Sequence, residues 1–526
     1  MALARTFAVA LTGVRGDIVE VEADISSGLP AFILIGLPDA ALGESRQRVN
    51  AAATNAGCPL TSRKLTVNLS PAALRKQGSG FDLAIALAAL AADGNLDHSS
   101  VSQTVHLGEL GLDGRLRPIP GVLPAVVAAR SAGFKRVVVP VGNRDEATLV
   151  DGIEVLAITS LRAAAILHGS ELEPRDIEPT TFDGTSAHEE PHELDMADIV
   201  GNEDAVQALL VAAAGGHHVA MVGPPGAGKT MLAQRLPSLL PDLSAEAALE
   251  TTSIRSLCGA RIGKDLVRRP PFEAPHHTAS AVALIGGGSG QIVPGSIVRA
   301  TNGILFLDEA AEFPRHVLDS LRQPLENGTI EINRASGTAV YPARFQLVLA
   351  TNPCPCGQYG SQTGECACTP IVRRRYWGRL SGPLLDRVDV RLTVHRLGLG
   401  ALRAGRDGTP AGPSSAVLRE RVIAAREHAR HRLADTPWGK NADVAGSWLR
   451  SGPRPLPLSA LHPLDRALER GALTMRGYDR ALRLSWTLAD LDGDRIPHAE
   501  HVRHALTFRQ GIAISIPPSR TFSLRL

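Results

Sequence analysis

Three short apolar runs, separated by segments of helical length, occupy the middle of the chain. The runs are "HVAMVG", "GILFLDEA" and "FQLVLATN", and all lie between residues 195 and 396. Continuous apolar runs of this length are typical of strands that are buried on both faces, because helices cover both sides of a parallel sheet. The pattern predicts a parallel sheet between helices over residues 195–397.

The regions on either side follow other patterns. Residues 1–170 alternate strand-like and helix-like segments, which predicts an α/β domain. Residues 416–526 carry apolar side chains at three- and four-residue intervals, as in "GYDRALRLSWTLADL", which predicts helices. The segment 171–194 is polar, acidic and proline-bearing, and 398–415 is rich in Gly, Pro and Ser, so both are predicted to be linkers. The expected fold class is α/β, multidomain.

Length, charge and apolar content limit the class of protein and its partners. The chain has 526 residues, enough for about three domains. Its net charge of +2 means that any nucleic-acid binding must come from local basic patches. The longest apolar run, at 83–92, is about half the length of a membrane span. We therefore expect a cytoplasmic protein with no membrane contact and with reduced cysteines.

A glycine-rich loop after the first apolar run predicts a phosphate site. The loop "GPPGAGKT" matches G-x-x-x-x-G-K-[ST] and precedes the helix-like "MLAQRLPSLL". Backbone N–H groups of such a loop surround phosphates, while Lys229 reaches the β/γ-phosphates and Thr230 binds Mg²⁺. The alternative is a chance glycine-rich turn. The predicted nucleotide-binding residues are Gly223, Pro224, Pro225, Gly226, Ala227, Gly228, Lys229 and Thr230.

Polar side chains at the ends of the other two apolar runs predict a hydrolytic site for ATP. Asp308 and Glu309 end "ILFLDEA", which we expect to be the strand next to the one before the glycine-rich loop. Asp308 would hold Mg²⁺ through water and Glu309 would polarise the attacking water. Asn352 ends the third run, where its amide would lie between the γ-phosphate and that water. Two adjacent acids at a strand end are otherwise often part of a solvated loop.

These three elements together are the set found in AAA+ ATPases, and six stretches carry a closer resemblance. They are "VGPPGAGKTMLAQRLPSLLP", "PFEAPHHTASAVALIGGGSGQIVPGSI", "GILFLDEAAEF", "LRQPLENGTIEINRA", "TNPCPCG" and "LSGPLLDRVDV". The chain resembles the Mg-chelatase-like AAA+ ATPases of the ComM (YifB) type, related to magnesium-chelatase ATPase subunits and more distantly to minichromosome-maintenance helicases. The resemblance implies an AAA+ core at 195–397 and a helical lid at 416–526.

The resemblance also implies a quaternary structure and a function. ComM-type members are expected to form a homo-oligomeric ring, a hexamer, that hydrolyses ATP and drives branch migration of DNA in recombination or DNA uptake. In AAA+ rings an arginine of one subunit completes the site of its neighbour, because charge developing on the γ-phosphate needs a cation. Arg387 is the candidate for that role and Arg476 for the lid-domain sensor. Either residue is otherwise a surface arginine.

Candidate DNA contacts lie between the second and third apolar runs and beyond them. Residues 326–345 predict a β-hairpin around a Ser-Gly turn. In the helicase relatives such a hairpin projects into the ring channel, which makes Arg334 a candidate phosphate contact, and the glycine-rich 285–295 resembles the other channel loop. The "RRRYW" at 373–377 and the Arg/His-rich helix at 417–433 add positive charge for sequence-independent backbone binding. Such charge runs are as often solvated faces.

The N-terminal region resembles another enzyme without its chemistry. Residues 76–160 are similar to the proteolytic domain of Lon, which implies a Lon-protease-like (ribosomal S5 domain 2-like) α+β fold. The nucleophilic serine position falls at Gly80 and the lysine position at Leu123, whereas a Ser-Lys dyad needs both groups. Ser79 is one residue from the serine position. We expect a retained fold without peptidase activity.

Four cysteines fall within residues 354–368. Cys354, Cys356, Cys366 and Cys368 form two Cys-x-Cys pairs in a Gly/Gln/Ser-rich loop. Four thiolates suit a structural Zn²⁺ that would stabilise a loop with few apolar residues. Cys-x-Cys is tighter than the usual Cys-x₂₋₄-Cys spacing, so free thiols and disulfides stay open as alternatives.

Three functions are compatible with the sequence. The hairpin and the basic patches favour an ATP-driven DNA motor. An ATP-driven protein remodeller, or a chelatase-like assembly factor that does not act on DNA, is the second hypothesis. An active ATP-dependent protease is the third, and the substituted dyad positions disfavour it.

Overall fold

The structure is a computed structural model that describes residues 2–36, 40–74, 76, 78–180, 194–287, 292–334, 337–360, 366–396 and 412–511. Within this part of the chain the architecture is α/β, with an N-terminal mixed sheet, a central parallel sheet and a C-terminal helical region. The predicted fold class is therefore confirmed.

The N-terminal region contains nine strands and six α-helices among the described residues. The strands are β1 (Ala2–Thr12), β2 (Arg15–Ser26), β3 (Ala31–Ile35), β4 (Lys64–Ser70), β5 (Thr104–His106), β6 (Glu109–Leu110), β7 (Leu116–Arg117), β8 (Arg136–Pro140) and β9 (Glu154–Ile158). The helices are α1 (Ala40–Ala56), α2 (Asp82–Ala92), α3 (His98–Ser102), α4 (Val122–Ser131), α5 (Arg144–Ala147) and α6 (Leu161–Leu167).

Seven of these strands form one mixed sheet in the order β3-β4-β2-β1-β5-β8-β9. Helix α2 packs against β1 and β2 and is buried over its full length, because its sequence is apolar on every side. The longest apolar run of the chain is thus a core helix. No helix in the described ranges has the length and apolar content needed to span a membrane.

The central region contains the remaining nine strands. They are β10 (Val219–Val222), β11 (Phe272–Glu273), β12 (Gly286–Gly287), β13 (Val293–Pro294), β14 (Ile304–Leu307), β15 (Thr329–Arg334), β16 (Gly337–Pro342), β17 (Gln346–Thr351) and β18 (Val390–Thr393). Its helices are α7 (Glu203–Gly215), α8 (Lys229–Leu239), α9 (Ala245–Leu257), α10 (Ala281–Ile285), α11 (Ser296–Arg299), α12 (Arg315–Asp319), α13 (Arg322–Asn327), α14 (Pro370–Trp377) and α15 (Gly382–Leu385).

Five central strands form a parallel sheet in the order β11-β14-β17-β10-β18. All residues of β14 and β17 are buried, as their apolar sequences predict. One expectation was wrong: β14, which precedes the two acids, is not the neighbour of β10. Strand β17 pairs with both of them and lies between them. Sequence distance does not fix strand order, because a crossover helix can carry the chain past a neighbouring position.

The C-terminal region is helical in its described residues. It consists of α16 (Ser415–Arg432), α17 (Gly446–Ser451), α18 (Leu458–Glu469), α19 (Met475–Asp492) and α20 (Ala499–Gln510). Helices α16 and α19 pack on α7, and one apolar cluster joins them to a face of the central sheet. A second cluster covers the opposite face.

Residues 171–180 have no helix or strand, whereas 181–193 and 397–411 lie outside the described residues, so the linker and domain bounds stay predictions.

The N-terminal region contacts the central region through buried polar groups. The hydroxyl of Ser256 donates to Glu146 Oε2 at 2.6 Å, and the N–H of Gly121 donates to the carbonyl of Ser256 at 3.1 Å. Burial raises the pKa of Glu146, and the Ser256 hydrogen bond opposes this shift. At a second contact, Gly13 in the β1–β2 turn lies against the carbonyl of Val340 in β16.

Candidate active site

The loop of residues 223–230 connects β10 to α8, which begins at Lys229. Gly226 and Gly228 have φ angles of 76° and 91°, the left-handed region that favours glycine. Gly223 has a different reason to be glycine: a Cβ there would lie 2.3 Å from the carbonyl oxygen of Val394. The glycines therefore allow the backbone to fold into a tight loop at the N-terminus of α8.

Lys229 is held inside this loop by three acceptors. Its Nζ donates to the carbonyls of Gly223 at 2.6 Å and Pro224 at 3.0 Å, and to Asn352 Oδ1 at 3.1 Å. Burial lowers the pKa of Lys229, whereas the carboxylates of Asp308 and Glu309 act in the opposite direction. The ammonium group thus links the loop to the end of β17.

The two acids after β14 lie on the other side of the same cleft. Thr230 Oγ1 donates to Asp308 Oδ2 at 2.6 Å, and the backbone N–H of Glu309 donates to Asp308 Oδ1 at 2.8 Å. Glu309 has a φ of 50°, which is uncommon for a residue with a side chain. A threonine hydroxyl and a carboxylate are both ligands that Mg²⁺ accepts, so this pair fits the ion that the sequence predicts.

The cleft between these groups has a volume of about 420 Å³. Because β17 lies between β10 and β14, Asn352, which directly follows β17, stands between the loop and the acids. Lys229, Thr230, Asp308, Glu309 and Asn352 thus come together at one edge of the sheet. The lining consists of Pro225, Gly226, Ala227, Gly228, Lys229, Thr230, Met231, Asp308, Glu309, Thr351 and Asn352.

His277 is a site residue that the sequence analysis did not predict. Its Nδ1 lies 3.0 Å from Glu309 Oε2, whereas Nδ1 of the adjacent His276 lies 2.8 Å from the hydroxyl of Thr278. The signal was present: the histidines follow β11, just as the acids follow β14, and β11 pairs with β14 in parallel. Polar residues after adjacent parallel strands meet at the same sheet edge.

Arg387 and Arg476 lie together in a separate cavity of about 170 Å³. Arg387 forms an ion pair with Glu326 and donates to the carbonyl of Pro383 at 2.6 Å. Burial lowers the pKa of Arg387, and the charges of Arg476 and Arg480 lower it further. Neither arginine lines the cleft at the glycine-rich loop of its own chain. The two predicted arginines therefore form one basic site.

The four cysteines of residues 354–368 also come together. All four Sγ atoms lie within 4.8 Å of one another, and Cys354 is buried. Cys354 Sγ lies 3.4 Å from Cys356 Sγ and 3.7 Å from Cys366 Sγ, and the Sγ atoms of Cys356 and Cys366 are 3.8 Å apart. A Zn–S bond of about 2.3 Å implies a tetrahedral S–S separation of about 3.8 Å, so the cluster fits zinc. None of the six cysteines, all of which the structure describes, forms a disulfide.

Known protein families and relatives match most of this chain. The family described as "Magnesium chelatase, subunit ChlI" matches residues 195–402, "Subunit ChlI of Mg-chelatase" matches 21–143, and "Magnesium chelatase, subunit ChlI C-terminal" matches 412–509. The competence protein ComM of Haemophilus influenzae is 40% identical over 515 residues, covering 97% of this chain and 98% of its own. The chain belongs to the ComM type of Mg-chelatase-like AAA+ ATPases.

Two further relatives are similar to all or part of this chain. The uncharacterized protein Rv2897c of Mycobacterium tuberculosis is 51% identical over 512 residues, covering 97% of this chain and 99% of its own. The Lon protease of Mycolicibacterium smegmatis is 28% identical over 176 residues, which is 32% of this chain and 22% of the protease. The resemblances to ComM-type ATPases and to Lon protease are therefore both confirmed. The family implies that the chain is an ATPase.

The predicted hairpin of this ComM-type chain is present as β15 and β16, which pair from Thr329 with Pro342 to Arg334 with Gly337. The side chain of Arg334 lies outside the described residues. The short β12–β13 pair packs against this hairpin, where the hydroxyl of Tyr341 donates to the carbonyl of Ile292 at 3.0 Å. The two channel-loop candidates are thus in contact.

The basic residues of the chain differ in their availability for DNA. Arg374 and Arg375 on α14 are exposed, as a phosphate contact requires. On α16, four arginines already have internal partners, which reduces the charge that this helix offers to a nucleic acid. The pairs are Arg419 with Asp242, Arg426 with the carbonyl of Ala213, Arg430 with Glu427, and Arg432 with Asp490.

The positions of the Lon dyad lie in packed surroundings. Leu123 is fully buried in the apolar cluster beneath α4. Gly80 lies near Ile119, whose Cδ1 would be 3.1 Å from an added Cβ. The hydroxyl of Ser79 donates to the carboxylate of Glu109. Among the described residues, the side-chain partner of the Ser79 hydroxyl is thus a carboxylate and not the lysine amine of a Ser-Lys dyad.

Proposed function

We propose that this chain is the ATP-hydrolysing subunit of a hexameric ring that moves DNA and promotes branch migration in recombination or DNA uptake. The observation that carries the proposal is the single cleft at the end of the central sheet, where Lys229, Thr230, Asp308, Glu309 and Asn352 converge. These are the positive charge, the metal ligands, the base and the polar amide that phosphoryl transfer requires.

Each of these side chains has a distinct role in the proposal. Lys229 exchanges its carbonyl acceptors for the β/γ-phosphates, and Thr230 and Asp308 hold Mg²⁺, which neutralises phosphate charge. Glu309 accepts a proton from the attacking water, and Asn352 orients that water. The N–H groups at the start of α8 add favourable backbone dipoles for the anion.

The proposal of a ring rests on the cleft having no arginine among its described lining residues. Arg387 and Arg476 share a cavity that is separate from the cleft of the same chain. We propose that both act on the cleft of the adjacent subunit, where a cation is needed as charge develops on the γ-phosphate. Hydrolysis then requires assembly.

The DNA part rests on the two hairpins that pack together and on the exposed arginines of α14. The H. influenzae relative is named a competence protein, which is consistent with a role in DNA uptake. Contacts through arginines to the phosphate backbone give little sequence preference and an affinity that falls steeply with salt. Arg334, at the end of β15, is the proposed phosphate contact in the ring channel.

The four cysteines are proposed to bind a structural Zn²⁺. Their S–S separations match tetrahedral thiolate coordination, and the loop between the pairs has few apolar residues to form a core of its own. Metal analysis of the purified protein is expected to give about one zinc per chain. Four thiols that all react freely in the native protein, with no bound metal, would contradict this assignment.

Hydrolysis of ATP with and without a synthetic four-way junction tests the DNA motor. We expect the junction to stimulate hydrolysis and to be moved when ATP is present. Linear duplex of matched length is the control. Activity that is indifferent to every DNA structure, with no junction movement, would instead favour the protein-remodelling hypothesis.

A further inference from the structure

The cysteine cluster lies directly against the phosphate-binding loop. Gly357, between the two Cys-x-Cys pairs, has a φ of +74°, and a Cβ at this residue would lie 2.4 Å from Cδ of Pro225. The N–H of Gly357 donates to the carbonyl of Cys354 at 2.9 Å and closes a turn that includes Cys356. The turn that holds two of the thiols therefore packs on the loop that is proposed to hold the phosphates.

A second path joins the cluster to the same loop through Asn352. Asn352 is two residues before Cys354, and its Oδ1 accepts the hydrogen bond from Lys229 Nζ at 3.1 Å. Any displacement of the first Cys-x-Cys pair therefore acts on a partner of Lys229 as well as on Pro225. Two contacts, one apolar and one polar, thus connect the thiols to the nucleotide cleft.

Helix α14 holds the other side of this segment. The indole Nε1 of Trp377 donates to the carbonyl of Pro353 at 3.0 Å, and the guanidinium of Arg373 stacks on the ring of Tyr359 at 4.0 Å. The second Cys-x-Cys pair leads into α14, which begins at Pro370. Sulfur–sulfur contacts connect the segment 353–360 with Cys366, so a bound metal would fix both ends of this unit.

We propose that Zn²⁺ bound by Cys354, Cys356, Cys366 and Cys368 controls the affinity of the adjacent cleft for ATP. The inference rests on the proposed zinc and nucleotide sites and adds a coupling between them. Zinc holds the 353–360 segment in place, so that Gly357 supports Pro225 and Asn352 stays within reach of Lys229. Removal of zinc releases both contacts. Because coupling between two binding sites is reciprocal, nucleotide must also raise the affinity of the cysteines for zinc by the same factor.

The first experiment measures binding of a fluorescent ATP analogue at constant Mg²⁺, before and after zinc is removed with a zinc-selective chelator. We expect the dissociation constant to rise at least about five-fold and to recover when zinc is returned. The Cys366→Ser/Cys368→Ser variant should show the weak affinity without recovery. Cys58→Ser, outside the cluster, is the control and should bind like wild type.

A second experiment separates coupling from a simple loss of folding, because removal of a structural metal can unfold the surrounding chain. Gly357→Ala keeps all four thiols but places a methyl group against Pro225. Gly360→Ala is its matched control: Gly360 has a φ of +75°, but an added Cβ there would meet nothing within 4 Å. We expect Gly357→Ala to bind the analogue several-fold more weakly than Gly360→Ala, with a native circular dichroism spectrum in both.

The outcomes distinguish this inference from the proposed function. Equal analogue affinity with and without zinc, or equal affinity in the two glycine variants, overturns the coupling but leaves ATP hydrolysis standing. Absence of zinc from the purified protein overturns it as well. Failure of zinc-loaded wild type to bind the analogue at all would instead contradict the proposed nucleotide site.

Discussion

The candidate catalytic positions of the N-terminal and central regions have different surroundings. In the central sheet, polar residues after β10, β14 and β17 converge on an open cleft of about 420 Å³. In the N-terminal region, the position of the Lon lysine is Leu123, which is fully buried in helix α4, and Ser79 donates its hydroxyl to Glu109. Both regions are α/β, so the fold class alone does not decide where chemistry occurs.

The difference lies in what the side chains at these positions face. Lys229 donates to Asn352, and Thr230 donates to Asp308, at the surface of a space that a phosphate can enter. Leu123 faces the apolar cluster beneath α4, where its burial contributes on the order of 1.5–3 kcal/mol to folding. Burial of Leu123 therefore contributes to stability, whereas the polar central residues line an open cleft.

Substitutions in the central cleft should change ATP binding and hydrolysis most. We expect the largest effect from Lys229→Ala. Removal of the ammonium leaves the phosphates without their main cation, so binding of a fluorescent ATP analogue should be lost. Hydrolysis should fall by at least about 100-fold. Glu309→Gln should also stop hydrolysis but retain analogue binding, because the amide keeps the shape and loses the base. Equal analogue binding by the two variants would contradict the separate roles.

Arg387→Ala tests whether the basic cavity acts on another subunit. Alone, this variant should lose hydrolysis by about 10³-fold, the size of effect typical of an arginine finger. Mixed with Glu309→Gln, it should regain activity at about a quarter of the sites, because a random ring brings an intact Glu309 next to an intact Arg387 at that frequency. Arg476→Ala should complement in the same way.

The control for this experiment is each inactive variant alone at the same total concentration, with thermal unfolding measured in parallel because Arg387 is paired with Glu326. Mixtures that stay inactive while rings assemble normally would show that Arg387 does not act across subunits.

His277→Ala should have a smaller effect on the cleft. Its Nδ1 lies 3.0 Å from Glu309 Oε2 at a partly exposed position, and loss of a hydrogen bond to a carboxylate costs on the order of 1 kcal/mol there. We expect kcat to fall about three- to tenfold with KM for ATP unchanged. His277→Gln, which keeps a donor, should recover part of the loss, and His276→Ala is the matched control. A rise in kcat would show that the contact restrains Glu309 instead of positioning it.

The sequence predicted the parts of the central region that depend on local pattern. The glycine-rich loop, the acids after "ILFL" and the hairpin of residues 326–345 all occur on the elements expected, because buried strands and tight turns need particular residues. The Cys-x-Cys pairs also meet, although residues 361–365 between them lie outside the described part of the chain.

What the sequence did not predict depends on contacts between distant segments. Strand β17 lies between β10 and β14, and His277 reaches Glu309 because β11 pairs with β14. The pairing of α16 arginines with residues such as Asp242 and Asp490 is likewise invisible in a local charge run. Strand order and ion pairing are set by tertiary packing, which periodicity does not encode.

Ser79→Ala is the substitution in the N-terminal region, and its expected effect is the smallest. Ser79 is one residue from the position of the Lon nucleophile, but its hydroxyl donates to Glu109, and the lysine position is an apolar side chain in a packed core. The Glu109 carboxylate is a much weaker base than the lysine amine of a Ser-Lys dyad, so Ser79 is a poor nucleophile. Wild type and Ser79→Ala should therefore both leave casein intact with ATP present. Loss of one partly buried hydrogen bond should lower the free energy of unfolding by about 0.5–1.5 kcal/mol, measured by denaturant titration. ATP-dependent casein cleavage by wild type that disappears in Ser79→Ala would mean that the N-terminal site finds its base elsewhere, and the contrast between the two regions would fail.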